Sequence, residues 1–438
     1  MKKLLNKKPT KNLGVPELIA IALGGMIGGG IFTVLGISVA MIGVYTPLAF
    51  LIGGALAFLA VYSYVKLGVY YRDEGASYSF FKRTFKESPF GASLIGWWVI
   101  FGYISTLALY AYTFSSYAIS GFEFADSEVM RKLIAGLILL VFTLINIWSV
   151  KGMGKIEDVM VYTKLILLAI IAFVLINSAN TSIPTLLKES ADINILSILI
   201  VASLTFVAFE GFQLVINAVN EMEDPEKNIP KSIYIALALA MLVYFTLSYG
   251  AIISIDFDSI IKNQEYALAA GANNAIGEWG TDLVILGALL ATSSAISGTL
   301  FGASRQMAVI AQDGFLPSIL VKRKNSIPVY AILTMFSLAF LLILVGDLKI
   351  ILEFSSVTFL LVSFLMAYAN FKIYKETDSS LLITLLAIFF LLGGMILIIY
   401  YEYTTQIEQL YFIGIIYFLL TLGAYIYSWM HKRKNRVE

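Results

Sequence analysis

Long apolar runs, separated by short polar segments, recur along the whole chain. A helix that crosses a membrane needs about 20 mainly apolar residues, and twelve stretches of the sequence meet this requirement. They cover residues 15–43, 47–70, 88–121, 130–149, 155–178, 194–220, 230–254, 279–310, 328–346, 349–373, 380–400 and 407–430. The pattern therefore predicts an all-α membrane protein with twelve transmembrane helices.

The positive charges are shared unequally between the two sides that these spans define. If the spans alternate in direction, 24 of the 30 Lys and Arg residues fall on one side and five on the other, with Lys164 left inside a span. Cytoplasmic loops of membrane proteins carry the excess of Lys and Arg. The distribution predicts a multi-pass protein of the cell membrane with both termini in the cytoplasm.

Composition narrows the chemistry that the chain can perform. It is 59% hydrophobic and 13% charged, with a mean hydropathy of +0.85, no cysteine and a single histidine, His431. Thiolate metal sites, cysteine nucleophiles and the HExxH signature are therefore excluded, and no Walker A or GxSxG motif is present. We expect no enzyme, no metal, no cofactor and no nucleic-acid partner. The lipid bilayer is the expected surrounding, and a monomer is compatible with the sequence.

Glycines interrupt the first apolar run, which reads LGGMIGGGIF from Leu23 to Phe32. Each glycine costs a helix interior about 1 kcal/mol relative to alanine, and backbone groups freed in a bilayer need partners in the protein or in a wet cavity. Broken helices of secondary transporters present such groups to a substrate at mid-membrane. The spacing also fits the small-xxx-small pattern of closely packed helices, so both interpretations stay open.

The sixth span is interrupted too, where FVAFEGFQ places Glu210 beside a glycine. Interrupted segments at corresponding positions of two halves predict an inverted repeat with a binding site between the halves. The predicted organisation is a cytoplasmic tail (1–14), a first repeat (15–178), a second repeat (194–373), two peripheral spans (380–430) and a second cytoplasmic tail (431–438).

Four motifs occur together in a characteristic order: LGGMIGGGIF, FVAFEGF, DPEKNIP (224–230) and RQMAVIAQDGFLP (305–317). In this combination the chain resembles the amino acid–polyamine–organocation superfamily, and more narrowly its prokaryotic proton-coupled amino acid transporters. The resemblance implies the ten-helix inverted-repeat core of sodium-coupled leucine transporters (the LeuT fold), with the substrate between spans 1 and 6. Gly29 stands where the family usually has Ser or Ala, and Gln213 where relatives often have an acid, which leaves substrate preference open.

The two breaks offer opposite partial charges to a substrate. Amides from about Ile27 to Ile31 suit a carboxylate, because a helix amino end is partially positive, and carbonyls around Phe206–Phe209 suit an ammonium. The resemblance adds the Gly24 and Met26 carbonyls as ammonium ligands and a phenylalanine as an aromatic gate, with ordinary packing as the alternative. The predicted substrate-binding residues are Gly24, Met26, Ile27, Gly28, Gly29, Gly30, Phe206, Phe209 and Glu210.

Lys164 lies nine residues into the fifth span, roughly 14 Å along the helix axis. Either its stem extends back to the cytoplasm, or it faces the bundle interior and marks an ion or proton pathway. In proton-coupled relatives, a lysine at this place resembles a built-in replacement for a sodium ion. The matching partners here are the Gly24 carbonyl and the hydroxyls of Ser293 and Ser294. Burial disfavours the charged amine, so proton loss would loosen the tie between spans 1 and 8.

Glu210 is the only acid deep in a predicted span. It either plays a structural role at the break, carries the coupled proton, or pairs with a cationic substrate. The leading hypothesis is a secondary active transporter that moves an amino acid together with a proton by alternating access. The alternative is a polyamine or basic amino acid transporter or exchanger that uses Glu210, and a channel or substrate sensor is less favoured.

Overall fold

The computed structural model describes residues 13–148, 150–179, 181–189, 192–324 and 327–434. Residues 1–12 of the predicted amino-terminal tail and residues 435–438 of the predicted carboxy-terminal tail lie outside this range. The described residues form α-helices joined by short turns, which confirms the all-α class. The last helix continues to Lys434, so the predicted tail at 431–438 begins as helix rather than as an extended segment.

The first half of the chain contains α1 (Val15–Met26), α2 (Gly29–Ile42), α3 (Thr46–Tyr71), α4 (Ala76–Thr84), α5 (Pro89–Ile119), α6 (Glu128–Trp148), α7 (Val150–Asn177) and α8 (Ile183–Glu189). The second half contains α9 (Ile195–Thr205), α10 (Leu214–Asn217), α11 (Pro225–Ser254), α12 (Phe257–Lys262), α13 (Ala267–Ile276), α14 (Glu278–Gln312), α15 (Val329–Val345), α16 (Leu348–Lys372), α17 (Leu381–Thr405) and α18 (Ile407–Lys434). Short 3-10 helices occupy Gly43–Tyr45, Phe206–Phe209, Gln264–Tyr266 and Ser318–Val321.

Ten helical runs of the described residues are long and apolar enough to cross a membrane. The first of them, Gly29–Tyr71, joins α2 to α3 without a polar interval, and Ile195–Asn217 contains α9 and α10. Two further apolar helices, α1 and α15, have 12 and 17 residues, which is short for a full crossing on their own. The count of ten differs from twelve because the first two predicted spans are counted as the single run Gly29–Tyr71, and because α15, which matches the ninth predicted span, is too short to be counted.

Local signals in the sequence account for the helix ends. Asp347 accepts from the Ile350 amide at 2.8 Å and caps α16, and Asn194 accepts from the Ser197 amide at 2.9 Å and caps α9. Such side-chain caps satisfy amides that have no partner inside the helix. Helix α2 ends at Ile42 and is followed by Gly43, whose φ of 49° is a left-handed value that glycine adopts without steric cost.

Helices α5, α14 and α16 form the centre of the bundle, and α17 and α18 lie at its edge. In their most apolar windows, 78% of α5 and 72% of α14 are buried, against 28% of α17 and 17% of α18. The last two helices instead expose large apolar side chains, as expected for lipid-facing surfaces. This arrangement places α1, which packs on α7, α11 and α14, at the interior.

Candidate functional site

The first apolar run breaks between Met26, where α1 ends, and Gly29, where α2 begins. Ile27 (φ −83°, ψ 74°) and Gly28 (φ −111°, ψ −134°) leave the helical conformation. The Gly28 amide donates to the Met26 carbonyl at 2.9 Å. The last carbonyls of α1 and the first amides of α2 therefore lack the usual intrahelical partners.

Lys164, on α7, reaches the carboxyl end of α1. Its Nζ donates to the carbonyls of Gly24 at 3.2 Å and Ile27 at 2.6 Å, and to Ser294 Oγ on α14 at 2.6 Å. The side chain is fully buried, so it does not extend to the cytoplasmic surface. Ser293, the other predicted hydroxyl partner, is buried in the same turn of α14. The Ile27 carbonyl is a partner that the sequence did not predict.

Two tyrosines hold the remaining carbonyls at the end of α1. Tyr110 on α5 donates to the Gly25 carbonyl at 3.1 Å. The Tyr244 hydroxyl, on α11, lies 2.7 Å from the carbonyls of both Met26 and Ala208 and thus links the first break to the second. The Met26 carbonyl, which the resemblance assigned to an ammonium, accepts from the Gly28 amide and also lies against the Tyr244 hydroxyl. Both of its lone pairs are therefore engaged within the protein in this conformation.

The amino end of α2 keeps its free donors. The amides of Gly29, Gly30 and Ile31 meet no acceptor among the described residues. Three unpaired N–H groups at the positive end of a helix dipole form a ready binding site for an anion or a carboxylate. Of the amides that the sequence analysis placed there, those of Ile27 and Gly28 instead donate to the carbonyls of Leu23 and Met26, each at 2.9 Å. Binding of a carboxylate by the remaining three stays a prediction.

The glycines of the first break also lie in close helix contacts. A Cβ atom at four of these positions would come within 3.0 Å of a neighbouring segment, closer than real Cβ atoms pack. The nearest atoms belong to Leu214 for Gly25, Ala295 for Gly28, Thr113 for Gly29 and Ala208 for Gly30. The two interpretations of this stretch therefore hold together, because glycine both permits the break and lets the helices approach.

The second break lies in the segment after α9. A 3-10 helix at Phe206–Phe209 leads to Glu210 in an extended conformation and to Gly211 with φ of 120°. A Cβ atom at Gly211 would lie 2.5 Å from the backbone carbon of Gly25. Glycine is thus required where the two broken segments touch.

Glu210 is held by a neighbour in its own turn. Gln213 Nε2 donates to Glu210 Oε2, and Gln213 Oε1 accepts from the Gly211 amide at 3.1 Å. Glu210 Oε1 is buried and has no hydrogen-bond partner among the described residues, and the same is true of the Tyr103 hydroxyl. Tyr103 lies within electrostatic reach of the Glu210 carboxyl. Buried polar atoms are nearly always hydrogen-bonded, so this pair marks a polar position suited to a ligand.

Phe206 and Phe209 are both fully buried. The Phe209 ring meets the Tyr244 ring edge to face, with centroids 5.1 Å apart. In this conformation both rings serve as packing, and their role as an aromatic gate stays a prediction.

Two further buried acids were not identified by the sequence analysis, which considered only acids deep in a predicted span. Glu353 on α16 and Glu402 on α17 are 0% and 1% exposed. Their carboxyl groups lie within electrostatic reach of each other, and none of the four oxygens has a hydrogen-bond partner among the described residues. Lys349 Nζ lies 3.7 Å from Glu353 Oε1 and 3.0 Å from the Tyr401 hydroxyl. Glu402 was missed because the predicted span ended at residue 400, whereas α17 continues to Thr405.

Asp313 joins the end of α14 to α4. Its Oδ2 accepts from Lys82 Nζ at 2.7 Å and from the Tyr78 hydroxyl at 2.8 Å. Burial, together with the negative charge of Asp313, raises the pKa of Tyr78 far above its usual range. The hydroxyl therefore stays protonated and remains a donor to the carboxylate.

Comparison with known proteins identifies the family. The amino acid permease family model matches residues 13–425, in agreement with the resemblance described above. The chain is 28% identical to the inner membrane transport protein YbaT of Escherichia coli over 71% of this chain and 72% of that protein. It is 25% identical to cationic amino acid transporter 7 of Arabidopsis thaliana, over 81% of this chain and 64% of that protein. It is 24% identical to the branched-chain amino acid permease BcaP of Bacillus subtilis, over 72% of this chain and 70% of that protein. The chain thus belongs to the amino acid permease family and is a multi-pass membrane transport protein.

Proposed function

We propose that the protein is a secondary active transporter that moves an amino acid across the cell membrane by alternating access, coupled to protons. In this proposal twelve spans cross the membrane with both termini in the cytoplasm. Residues 15–178 and 194–373 form inverted repeats of the LeuT type, flanked by the peripheral segment 380–430. The contact between the two broken segments supports a binding site there, because Tyr244 touches the carbonyls of both breaks.

The two charged groups of the substrate would bind the opposite partial charges of the two breaks. Its carboxylate would bind the free amides of Gly29, Gly30 and Ile31 at the start of α2. Its ammonium would approach the carbonyls beside Phe206–Phe209 and the unpaired Oε1 of Glu210. A zwitterionic α-amino acid has both groups and so fits both ends.

The burial and the hydrogen bonds of Lys164 are the observation that supports proton coupling. A charged ammonium has three donors, and its described acceptors belong to α1 and α14. A neutral amine loses the charge and one N–H, and charge-assisted hydrogen bonds are roughly twice as strong as neutral ones. Proton loss at Lys164 would therefore weaken the tie between α1 and α14 and favour their relative movement. Ser293 would line the same position.

Proteoliposomes with an imposed pH gradient or an imposed sodium gradient test this coupling. We expect the parent to accumulate substrate with the pH gradient and without sodium. Lys164→Ala should still bind and exchange substrate, because the groups on α2 and the second break are untouched, while proton-driven accumulation is lost. Ser294→Ala, which keeps the amine and removes one acceptor, should lie between the two. Sodium-driven accumulation by the parent, or undiminished proton-driven accumulation by Lys164→Ala, would contradict the proposal.

Glu210 favours one alternative, a carrier or exchanger of basic amino acids or polyamines. The named relatives do not decide between substrates, since one is called a cationic and another a branched-chain transporter. If Glu210 pairs with a substrate cation, Glu210→Gln should weaken uptake of arginine, lysine and putrescine at least tenfold and leave leucine unchanged. A proton-carrying Glu210 would instead change the pH dependence of leucine uptake as well. Equal uptake of every substrate at every pH would leave only a structural role.

Counterflow separates a carrier from a channel or sensor. Preloaded unlabelled substrate should accelerate entry of labelled substrate into proteoliposomes. A sensor binds without counterflow, and a channel shows no acceleration by substrate on the opposite side.

A further inference from the structure

An apolar crevice and a basic groove meet at the end of α14, outside the site described above. The crevice has a volume of about 230 Å³ and lies between α5, α14 and α15, with Trp97, Phe101 and Leu338 among its lining residues. The groove lies between the turn after α14 and the end of α18, and Trp429 and Arg433 line it.

The two spaces share a wall. Leu316, Pro317 and Ile319 line both of them. An occupant could therefore place an apolar segment between the helices and a polar end in the groove. This combination is amphipathic, as a phospholipid is.

The rim of the groove is basic. Arg433 lies 5.5 Å over the Trp429 ring, and the exposed run Lys322 to Lys324 directly follows the 3-10 helix that forms the other wall. The acid that lines the groove, Asp313, is already paired with Lys82 at 2.7 Å. The charge left over at the rim is therefore positive and complements an anion.

We propose that this crevice and groove bind one anionic phospholipid, with an acyl chain in the crevice and the headgroup phosphate at the basic rim. The proposal is independent of the transported substrate and rests only on the membrane placement and cytoplasmic orientation given above. Basic clusters beside a membrane helix attract anionic lipids, and interfacial Trp residues lie at headgroup level. Because acyl chains of all bilayer lipids are as apolar as the crevice, the headgroup would determine which lipid is selected. The crevice would only accommodate the acyl chain.

Native mass spectrometry of the full chain in a neutral detergent tests this, with dioleoyl phosphatidylglycerol or dioleoyl phosphatidylcholine added at equal concentration. The parent should retain phosphatidylglycerol roughly tenfold better than phosphatidylcholine. The variant Lys322→Gln/Arg433→Gln should lose that preference, because each nearby cation contributes several-fold to binding of an anionic lipid. Arg433 lines the groove, and Lys322 directly follows the 3-10 helix that forms its wall. The matched control Lys372→Gln/Lys375→Gln removes two cations that neither line the groove nor adjoin that wall in sequence, and it should keep the preference.

A second variant tests the crevice. Thr334→Phe narrows the space beside Leu338 and should reduce retention of dioleoyl phosphatidylglycerol while leaving the six-carbon dihexanoyl lipid unaffected. Equal retention of the two dioleoyl lipids by the parent, or equal loss in the control and groove variants, would overturn the proposal. So would a dimer of the parent that disappears in the groove variant, because a second copy would then be the occupant.

Discussion

A single methyl group at Gly30 tests the close contact between the two broken segments. In Gly30→Ala, the new Cβ atom would lie 2.7 Å from both Cα and Cβ of Ala208. Carbon atoms in contact are normally about 3.5–4.0 Å apart, so the overlap is roughly 1 Å. One of the two atoms is backbone in the 3-10 helix, which a side-chain rotation cannot move.

The expected magnitude follows from two opposing effects. Gly to Ala in a helix favours folding by about 1 kcal/mol, whereas overpacking a tight core costs about 1–3 kcal/mol. The backbone contact places the cost at the upper end, so Gly30→Ala should lose about 1–2 kcal/mol. Gly393→Ala is the matched control, because a Cβ there has nothing within 4 Å and the change should gain up to about 1 kcal/mol.

Thermal unfolding of both variants in the same detergent, followed by intrinsic fluorescence, makes the comparison. The apparent unfolding temperature should fall for Gly30→Ala and rise or stay level for Gly393→Ala. A rise of equal size in both would show that the two breaks do not pack as described.

Two further predictions concern buried polar groups. Tyr244→Phe removes one hydroxyl from between two buried carbonyls and should lower the free energy of unfolding by about 1–3 kcal/mol. The control Tyr117→Phe, whose hydroxyl lies 3.2 Å from a carbonyl inside the continuous helix α2, should lose less stability in thermal unfolding. Equal losses in the two variants would argue against the link that Tyr244 makes between the two breaks. Lys349→Met removes the cation beside Glu353 and should cost about 1–3 kcal/mol, below the value for a fully buried pair because the lysine is 25% exposed. Lys349→Arg should retain the stability, Glu402→Gln should offset the loss, and an unchanged unfolding temperature in Lys349→Met would refute the electrostatic account.

The sequence predicted features that would destabilise a continuous membrane helix and therefore indicate a break or a site. Glycines in an apolar run and a glutamate beside Gly211 disfavour a continuous membrane helix, so both breaks could be located. The tyrosines could not be assigned, because Tyr is common in membrane helices and nothing in the spacing of Tyr110 or Tyr244 indicates which carbonyl it meets. Glu353 escaped notice because it lies near the end of a predicted span, where an acid normally reaches the headgroups.

The end of α1 has a consequence for how the chain is made. Its carbonyls depend on donors that follow much later in the sequence, with Tyr244 separated from Met26 by 218 residues. At about 5–20 residues per second, translation needs roughly 10–40 s to supply that hydroxyl. Tyr110 and Lys164, the donors to the Gly25 and Gly24 carbonyls, are synthesised earlier in this interval, and the Tyr244 hydroxyl is the last of the three to become available. The hydrogen bonds at the end of α1 can therefore be completed only after α11 has been synthesised, so an early helix depends on a late one for its final set of contacts.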